Sequence, residues 1–205
     1  CSYVVSLFRP HIIRELELAK RGLEIIPLES SYSPAFEGPG LCRWGDSERS
    51  RREIAKLSQK DAEIYPEFGN EMKKMSFFAK SIIDNPAPDP ASLNPGELLK
   101  LLKLGKHFKD MEPDMFYLHN KLLTMSALDF LDMYFESDVL KAPMAVSGII
   151  GTFLGINSPG SAYVLLHHYL GEIDGSFRSW GLAKGGTGAI SMAVADAALE
   201  YGAQI

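Results

Sequence analysis

Apolar residues at Ile64, Phe68, Met72, Met75, Ala79 and Ile82 recur at alternating intervals of four and three, which sets them on one face of a long helix. A helix with such a stripe needs other elements to cover it, so the middle of the chain is constrained to be a helical assembly. Ser58 and Asp61 open this helix as a capping box with Asp in place of Glu. Pro66 lies inside the pattern and predicts a kink or a restart there. Beyond it, residues 84–90 carry too many prolines for a helix and read as a connector. Asn94-Pro95-Gly96-Glu97 is the next start, with a cap, a proline at the first position and an acid at the third. Leu98, Leu101, Leu102 and Leu104 follow broadly on one side, and further helices are predicted from Pro113, Ser126 and Ser137.

The two ends read differently. Pro10 opens a first helix, with Ile12, Ile13 and Leu16 on one face and Gly22 as its stop. Residues 23–45 are short apolar or aromatic runs cut by Pro27, Pro34, Gly38, Pro39 and Gly40, the pattern of a small antiparallel set of strands. Asp46 then caps a helix carrying Ile54 and Leu57. Near the other end, Ser158-Pro159-Gly160 opens a helix with Tyr163, Leu166 and Leu170 on one face, and residues 177–182 read as a strand. A Gly185-Gly186-Thr187-Gly188 turn leads from that strand into a small-residue helix. Glycine removes the Cβ barrier to tight turns, and a helix start offers unpaired N–H groups to an electron-rich neighbour. The expected fold class is therefore α+β and helix-rich, with short strands near both ends: an insertion or cap domain whose ends return to a sheet. The chain starts at Cys1 inside an apolar run and stops at Ile205 in what reads as a strand, so it is expected to be an excerpt of a larger protein.

A length of 205 residues suits one domain, or a domain with a subdomain. The net charge of −5 leaves no basic footprint for nucleic acid. Arg49, Arg51 and Arg52 are interleaved with Glu48 and Glu53 and read as a solvated helix face. Cys1 and Cys42 make neither a disulfide framework nor a metal site. They can pair with each other or stand as two reduced thiols, the latter favouring a reducing compartment, a bacterial cytoplasm or a mitochondrial matrix. No apolar run approaches the length of a membrane span.

Residues with chemistry are scattered. His167 and His168 are adjacent on a helix and point about 100° apart, so they cannot share a metal as a pair four residues apart can. One is expected to face a cavity or core and the other solvent. His11, His107 and His119 stand alone and read as surface or packing residues. Asp129, Asp132 and Glu136 at three- and four-residue spacing read as a solvent stripe. Met72, Met75, Phe77, Phe78, Met111, Met115, Phe116 and Tyr117 suit either an apolar cavity or plain core. There is no Gly-x-Ser-x-Gly elbow, no phosphate loop and no full Gly-x-Gly-x-x-Gly. By itself Gly185-Gly186-Thr187-Gly188 is equally well a tight strand-to-helix turn.

Three strings carry a resemblance: residues 2–25 (SYVVSLFRPHIIRELELAKRGLEI), residues 58–68 (SQKDAEIYPEF) and residues 158–205, the last being the most specific. They resemble the phytoene-desaturase-related FAD/NAD(P)-binding oxidoreductases almost from end to end. That resemblance implies a two-domain FAD-dependent oxidoreductase, of which residues 1–183 form the substrate-binding or cap region. Residues 184–205 form the turn and helix returning to an FAD-binding domain that lies outside this sequence and is the implied partner. The family's glycine fingerprint for FAD pyrophosphate lies outside it too, so the resemblance implies FAD in the intact protein and poor FAD binding by these 205 residues. Carried over position by position, Gly185, Gly186 and Gly188 are cofactor-binding, and Trp180, Tyr163 and His167 substrate-binding, with Ser161 and His168 on the same helix. No catalytic side chain and no metal ligand is implied, because a flavin takes the hydride itself while the protein orients the substrate and excludes water. The substrate implied is an apolar small molecule. Exposed apolar surface implies self-association, as a homo-oligomer, and no Cys-x-x-Cys occurs to suggest dithiol chemistry. The competing reading is a non-catalytic scaffold or assembly protein on the same fold, since fold alone does not fix function.

Overall fold

The computed structural model describes residues 4–173, 176–177 and 179–205, and divides into two compact units. One comprises Cys1–Leu57 with His168–Ile205, the other Ser58–His167. The expectation of a helix-rich α+β chain with few short strands holds.

In the first unit, helix α1 (Pro10–Glu15) stops well before the expected Gly22. Glu17 takes a left-handed φ of 51°, and the Leu18 N–H closes the end by bonding to the Ile13 carbonyl at 3.0 Å. That early stop turns Leu18 into the core, where it is fully buried with Val5, Leu23, Ala183, Ala193 and Ala197. Strands β1 (Ile25–Pro27), β2 (Ser30–Ser33) and β3 (Leu41–Trp44) do not form one set, contrary to the sequence reading. β2 and β3 make an antiparallel hairpin with Tyr32 opposite Cys42, whereas β1 pairs antiparallel with a strand from the far end of the chain, β6 (Gly181–Ala183). Pairing across that sequence distance leaves no local signature. Asp46 caps α2 (Ser47–Ile54) as expected, accepting the Arg49 N–H at 2.7 Å. The fully buried Ser50 hydroxyl accepts from the Trp44 N–H and donates to its carbonyl, fastening β3 to α2. Arg49 does more than face solvent: its guanidinium lies 3.6 Å from the Trp44 ring centroid. Cys42 is a free thiol, and Cys1 lies outside the described residues.

The expected strand at 177–182 is two strands. β4 (Glu172–Ile173) pairs with β5 (Ser176–Phe177), and β6 follows separately; Arg178 lies outside the described residues. α9 (Gly188–Glu200) completes the unit, with Ala193 and Ala197 in the core.

The second unit is all helix: α3 (Gln59–Ile83), α4 (Pro95–Lys109), α5 (Pro113–Thr124), α6 (Ala127–Asp132), α7 (Asp138–Ala145) with a 3-10 turn at Val146–Gly148, and most of α8 (Ser161–Tyr169). α3 is its spine. Phe68, Met72, Met75 and Ala79 are buried as the spacing predicts, with Ile64 and Ile82 half-buried at the ends. The Phe68 ring meets Tyr134 and Phe135, each at 5.0 Å between centroids and close to edge-on, a favoured aromatic geometry. α3 runs through Pro66 without a break, so the expected restart does not occur. The caps predicted at Ser58, Asn94 and Ser126 all form, each accepting a backbone N–H of its own first turn.

Ser137 precedes α7 but makes no side-chain cap. Its N–H goes instead to Asp61. α8 begins at Ser161, three residues after the expected start, and the buried Ser161 hydroxyl accepts from the Ala127 N–H at 2.7 Å and donates to the Ser158 carbonyl. The Asp129–Glu136 stripe is exposed, though α6 ends at Asp132 and Glu136 lies beyond it. The methionine and aromatic group divides: Met72 and Met75 are core, while Phe77, Phe116 and Tyr117 face solvent.

Candidate functional site

The glycine turn lies in the first unit and is built from both ends of the chain. Ile25 pairs with Ala183, and Pro27 with Gly181. Gly181 is also bridged to Val5 on its other side, each giving its N–H to the other's carbonyl at 2.8 Å. A Cβ at Gly181 would sit 2.6 Å from Ile25 Cγ2 and 2.7 Å from Ile173 Cδ1, so glycine is required there by close packing. Lys184 then locks the turn to the start of β1. Its N–H donates to the Glu24 carbonyl at 2.9 Å and its ammonium to Glu24 Oε2 at 2.7 Å. That hydrogen bond, with the Glu24 charge, holds the Lys184 ammonium above the ordinary lysine range.

Gly185 and Gly186 both take left-handed φ values, 83° and 87°. An L side chain pays strain at such angles, so these two glycines are explained by backbone conformation. Gly188 differs. Its φ is not in that region, and a Cβ placed on it meets nothing within 4 Å. It is the first residue of α9, and the Thr187 side chain makes no capping hydrogen bond to that helix. Neither packing nor conformation demands glycine at 188; what its absent side chain leaves is open approach to a helix start. Lys184, Gly185, Gly186 and Gly188 are all exposed.

Trp180, half-buried at the entry to β6, accepts the Leu28 N–H at 2.7 Å through its carbonyl. Its indole lies nearly parallel to the His168 ring, 6.0 Å between centroids with 6° between planes. Of the adjacent histidines, His168 is the buried one and His167 is half-buried, in keeping with neighbours that point apart. Tyr163 and His167 fall within Ser58–His167, in the second unit, and both are half-buried. The structure therefore gathers Trp180, His168 and the glycine turn within one unit. Sequence reading missed the His168–Trp180 stack, for which the only signal was a tryptophan twelve positions beyond a histidine pair, and missed Glu24 and Ser6 entirely. Ser6 is buried where Gly171 passes: a Cβ on Gly171 would come within 1.7 Å of Ser6 Oγ, which has no hydrogen-bond partner among the described residues.

The second unit offers a different group. His119 on α5 is buried between Phe78 and Phe108, with ring centroids 5.3 and 5.6 Å away, and desolvation holds its imidazole below the ordinary value. His107 is exposed, stacks on Phe78 at 5.1 Å, and its Nε2 lies 2.5 Å from the Ser81 hydroxyl. These are packing and surface roles, as expected. Tyr134 donates its hydroxyl to Glu71 at 2.7 Å; burial first, then that hydrogen bond, raise its phenol far above the usual range, so it stays protonated. Among the described residues no three His, Cys, Asp or Glu converge as a metal site.

Comparison with known proteins finds relatives for the chain as a whole. The chain is 33% identical to the rat (Rattus norvegicus) pyridine nucleotide-disulfide oxidoreductase domain-containing protein 2 over a 222-residue alignment, and 33% identical to the mouse (Mus musculus) protein of the same name. Both alignments cover 100% of this chain and 38% of the relative. The chain is a homologue of these proteins along its whole length, and spans well under half of theirs. No family model and no solved structure matches it.

Proposed function

We propose that this chain, homologous throughout to the pyridine nucleotide-disulfide oxidoreductase domain-containing proteins 2, is the substrate-side part of an FAD-dependent oxidoreductase. Its glycine turn lies next to the cofactor. The observation that carries this reading is Gly188: a glycine that neither its φ nor its neighbours require, at an exposed helix start that the Thr187 side chain does not cap. Such a start presents N–H groups and the positive end of the helix dipole to an electron-rich group, and the missing Cβ leaves room for it. The open space over Gly188 therefore fits a bound dinucleotide, although Gly185 and Gly186 need no ligand to explain them.

When bound, FAD supplies the hydride acceptor for oxidation of an apolar substrate. The residues of this chain orient and shield. Lys184 and Glu24 keep the turn in register with β1, and Gly181 lets Val5, Ile25 and Ile173 close around it. Trp180, ordered by its stack on His168, supplies a flat apolar face at the entry to the strand that leads into the turn. Tyr163 and His167 are assigned to the substrate side.

FAD titration of the 205-residue chain and of the full reading frame that encodes it, read by flavin absorbance after gel filtration, tests the proposal. The chain alone is expected to hold flavin weakly, lacking a strand–Gly-x-Gly-x-x-Gly–helix unit. The full frame is expected to retain it, and Gly188→Val to lose it without loss of fold. If the full frame stays colourless, the non-catalytic scaffold takes the place of the oxidoreductase.

A further inference from the structure

Among the helices of the second unit, α4 alone buries none of its residues. Its inner side is held by Leu101, Leu104 and Phe108, all half-buried, and by the stack of His107 on Phe78. The outer side carries Leu98, Leu99 and Leu102, which are 41%, 53% and 71% exposed. At 100° per residue these leucines span an arc of roughly 100°, and Lys106 and Lys109 fall inside that arc, with Lys103 about 40° beyond it on the solvent side. The exposed strip is thus apolar over its first half and cationic over its second. Lys103, Lys106 and Lys109 make no ion pair among the described residues, while Lys100 is held by Glu97, the one acid of the helix.

In a chain of net charge −5, a helix with four lysines against one glutamate is a local reversal of sign. Leucines left in water beside unpaired ammonium groups match a surface with an acyl boundary beneath anionic headgroups. Lysine stems can lie along the apolar strip while their ammonium groups reach outward to phosphates. A second copy leaves the cationic half of the strip uncompensated: two-fold pairing over its full length sets lysines against leucines or against lysines. The helix has 15 residues, and no described helix is long and apolar enough to cross a membrane, so α4 would lie along the surface.

We propose that α4 is a docking element that seats this protein on anionic lipid bilayers through Leu98, Leu99 and Leu102 together with Lys103, Lys106 and Lys109. The proposal stands apart from the oxidoreductase reading and does not depend on it.

The test is flotation of the 205-residue chain with phosphatidylcholine vesicles, with and without phosphatidylglycerol, at low and high salt. The chain is expected to float with the anionic vesicles, to release as salt rises, and to stay behind with pure phosphatidylcholine. A triple Lys103→Gln, Lys106→Gln, Lys109→Gln variant is expected to partition on the order of a hundredfold less. Leu99→Ser with Leu102→Ser weakens binding as well, and because these side chains are exposed, both variants keep the parent circular dichroism spectrum and melting temperature. No flotation, equal flotation with both vesicle types, or full binding by both variants overturns the proposal. So does a dimer in sedimentation that the leucine variant dissolves, since the strip would then be covered by a second copy.

Discussion

Asp61 accepts the backbone N–H of Ser137 at 2.9 Å through Oδ2 and that of Glu136 at 2.9 Å through Oδ1, from a position in α3 that is fully buried. Its own N–H goes to the Ser58 hydroxyl at 3.1 Å. One residue thus takes part in the first turn of the spine through its N–H and fixes the entry to α7 through its carboxylate, where Ser137 makes no side-chain cap.

Removing that buried carboxylate leaves two partly buried backbone donors without their acceptor. Charge-assisted hydrogen bonds of this kind are among the stronger ones, and orphaned buried donors are costly. Asp61→Ala is predicted to destabilise the second unit by about 2–4 kcal/mol. Asp129→Ala, which removes an exposed partner of the Ser126 cap, is predicted to cost about 1 kcal/mol or less. Urea denaturation followed by circular dichroism separates the two, and equal losses would show that burial does not set the scale here.

The glycine turn divides by substitution. Gly185→Ala and Gly186→Ala each force an L side chain into a left-handed backbone, predicted to cost roughly 1–2 kcal/mol. Gly188→Ala does the opposite: it fills open space at the first position of α9, where alanine gains up to about 1 kcal/mol over glycine. Thermal melts of the three variants are expected to move in opposite directions, and a Gly188→Ala protein less stable than the parent is the result that defeats this division.

His119 predicts an acid limb. Desolvation lowers its imidazole, so well above pH 7 it is uncharged in both the folded and the unfolded chain and contributes nothing to pH dependence. Below about pH 6.5 the unfolded chain takes up a proton that the folded chain refuses. Stability therefore falls as pH drops through that value, by at most about 1.4 kcal/mol per pH unit, until the folded imidazole titrates. His119→Leu is predicted to flatten the unfolding free energy between about pH 7 and 5.5. A parallel slope in parent and variant would assign the acid limb elsewhere.

What the sequence made legible was local. The caps at Asp46, Ser58, Asn94 and Ser126 and the Phe68–Met72–Met75–Ala79 stripe depend on neighbours within a turn or two, and each is found where spacing places it. What was illegible was long-range. Nothing near Ile25 announces that its strand partner is Ala183, and nothing near Ser137 announces Asp61. For the candidate site, the glycine pattern was visible, but only the φ values separate Gly185 and Gly186 from Gly188. Local rules also failed at the Gly22 stop, at the Ser137 cap and at Pro66, where no restart occurs.

Pro66 lies in the eighth position of a helix that continues to Ile83. Its ring removes the N–H that would bond to the carbonyl four residues back and crowds that carbonyl, which is why the sequence predicts a kink or a restart. Packing on both sides outweighs it: Ala62, Tyr65, Phe68 and Met72 are all buried, and a break between them would take part of this stripe out of the core. The helix therefore tolerates a local cost to keep its long face continuous. Pro66→Ala restores the missing donor, while giving the unfolded chain back some of the freedom that proline denies it. The net prediction is a gain of about 1–2 kcal/mol, with helix content unchanged by circular dichroism. A loss of stability in that variant would mean that α3 is bent at Pro66 in a way its neighbours need, and that the proline shapes the spine of the second unit.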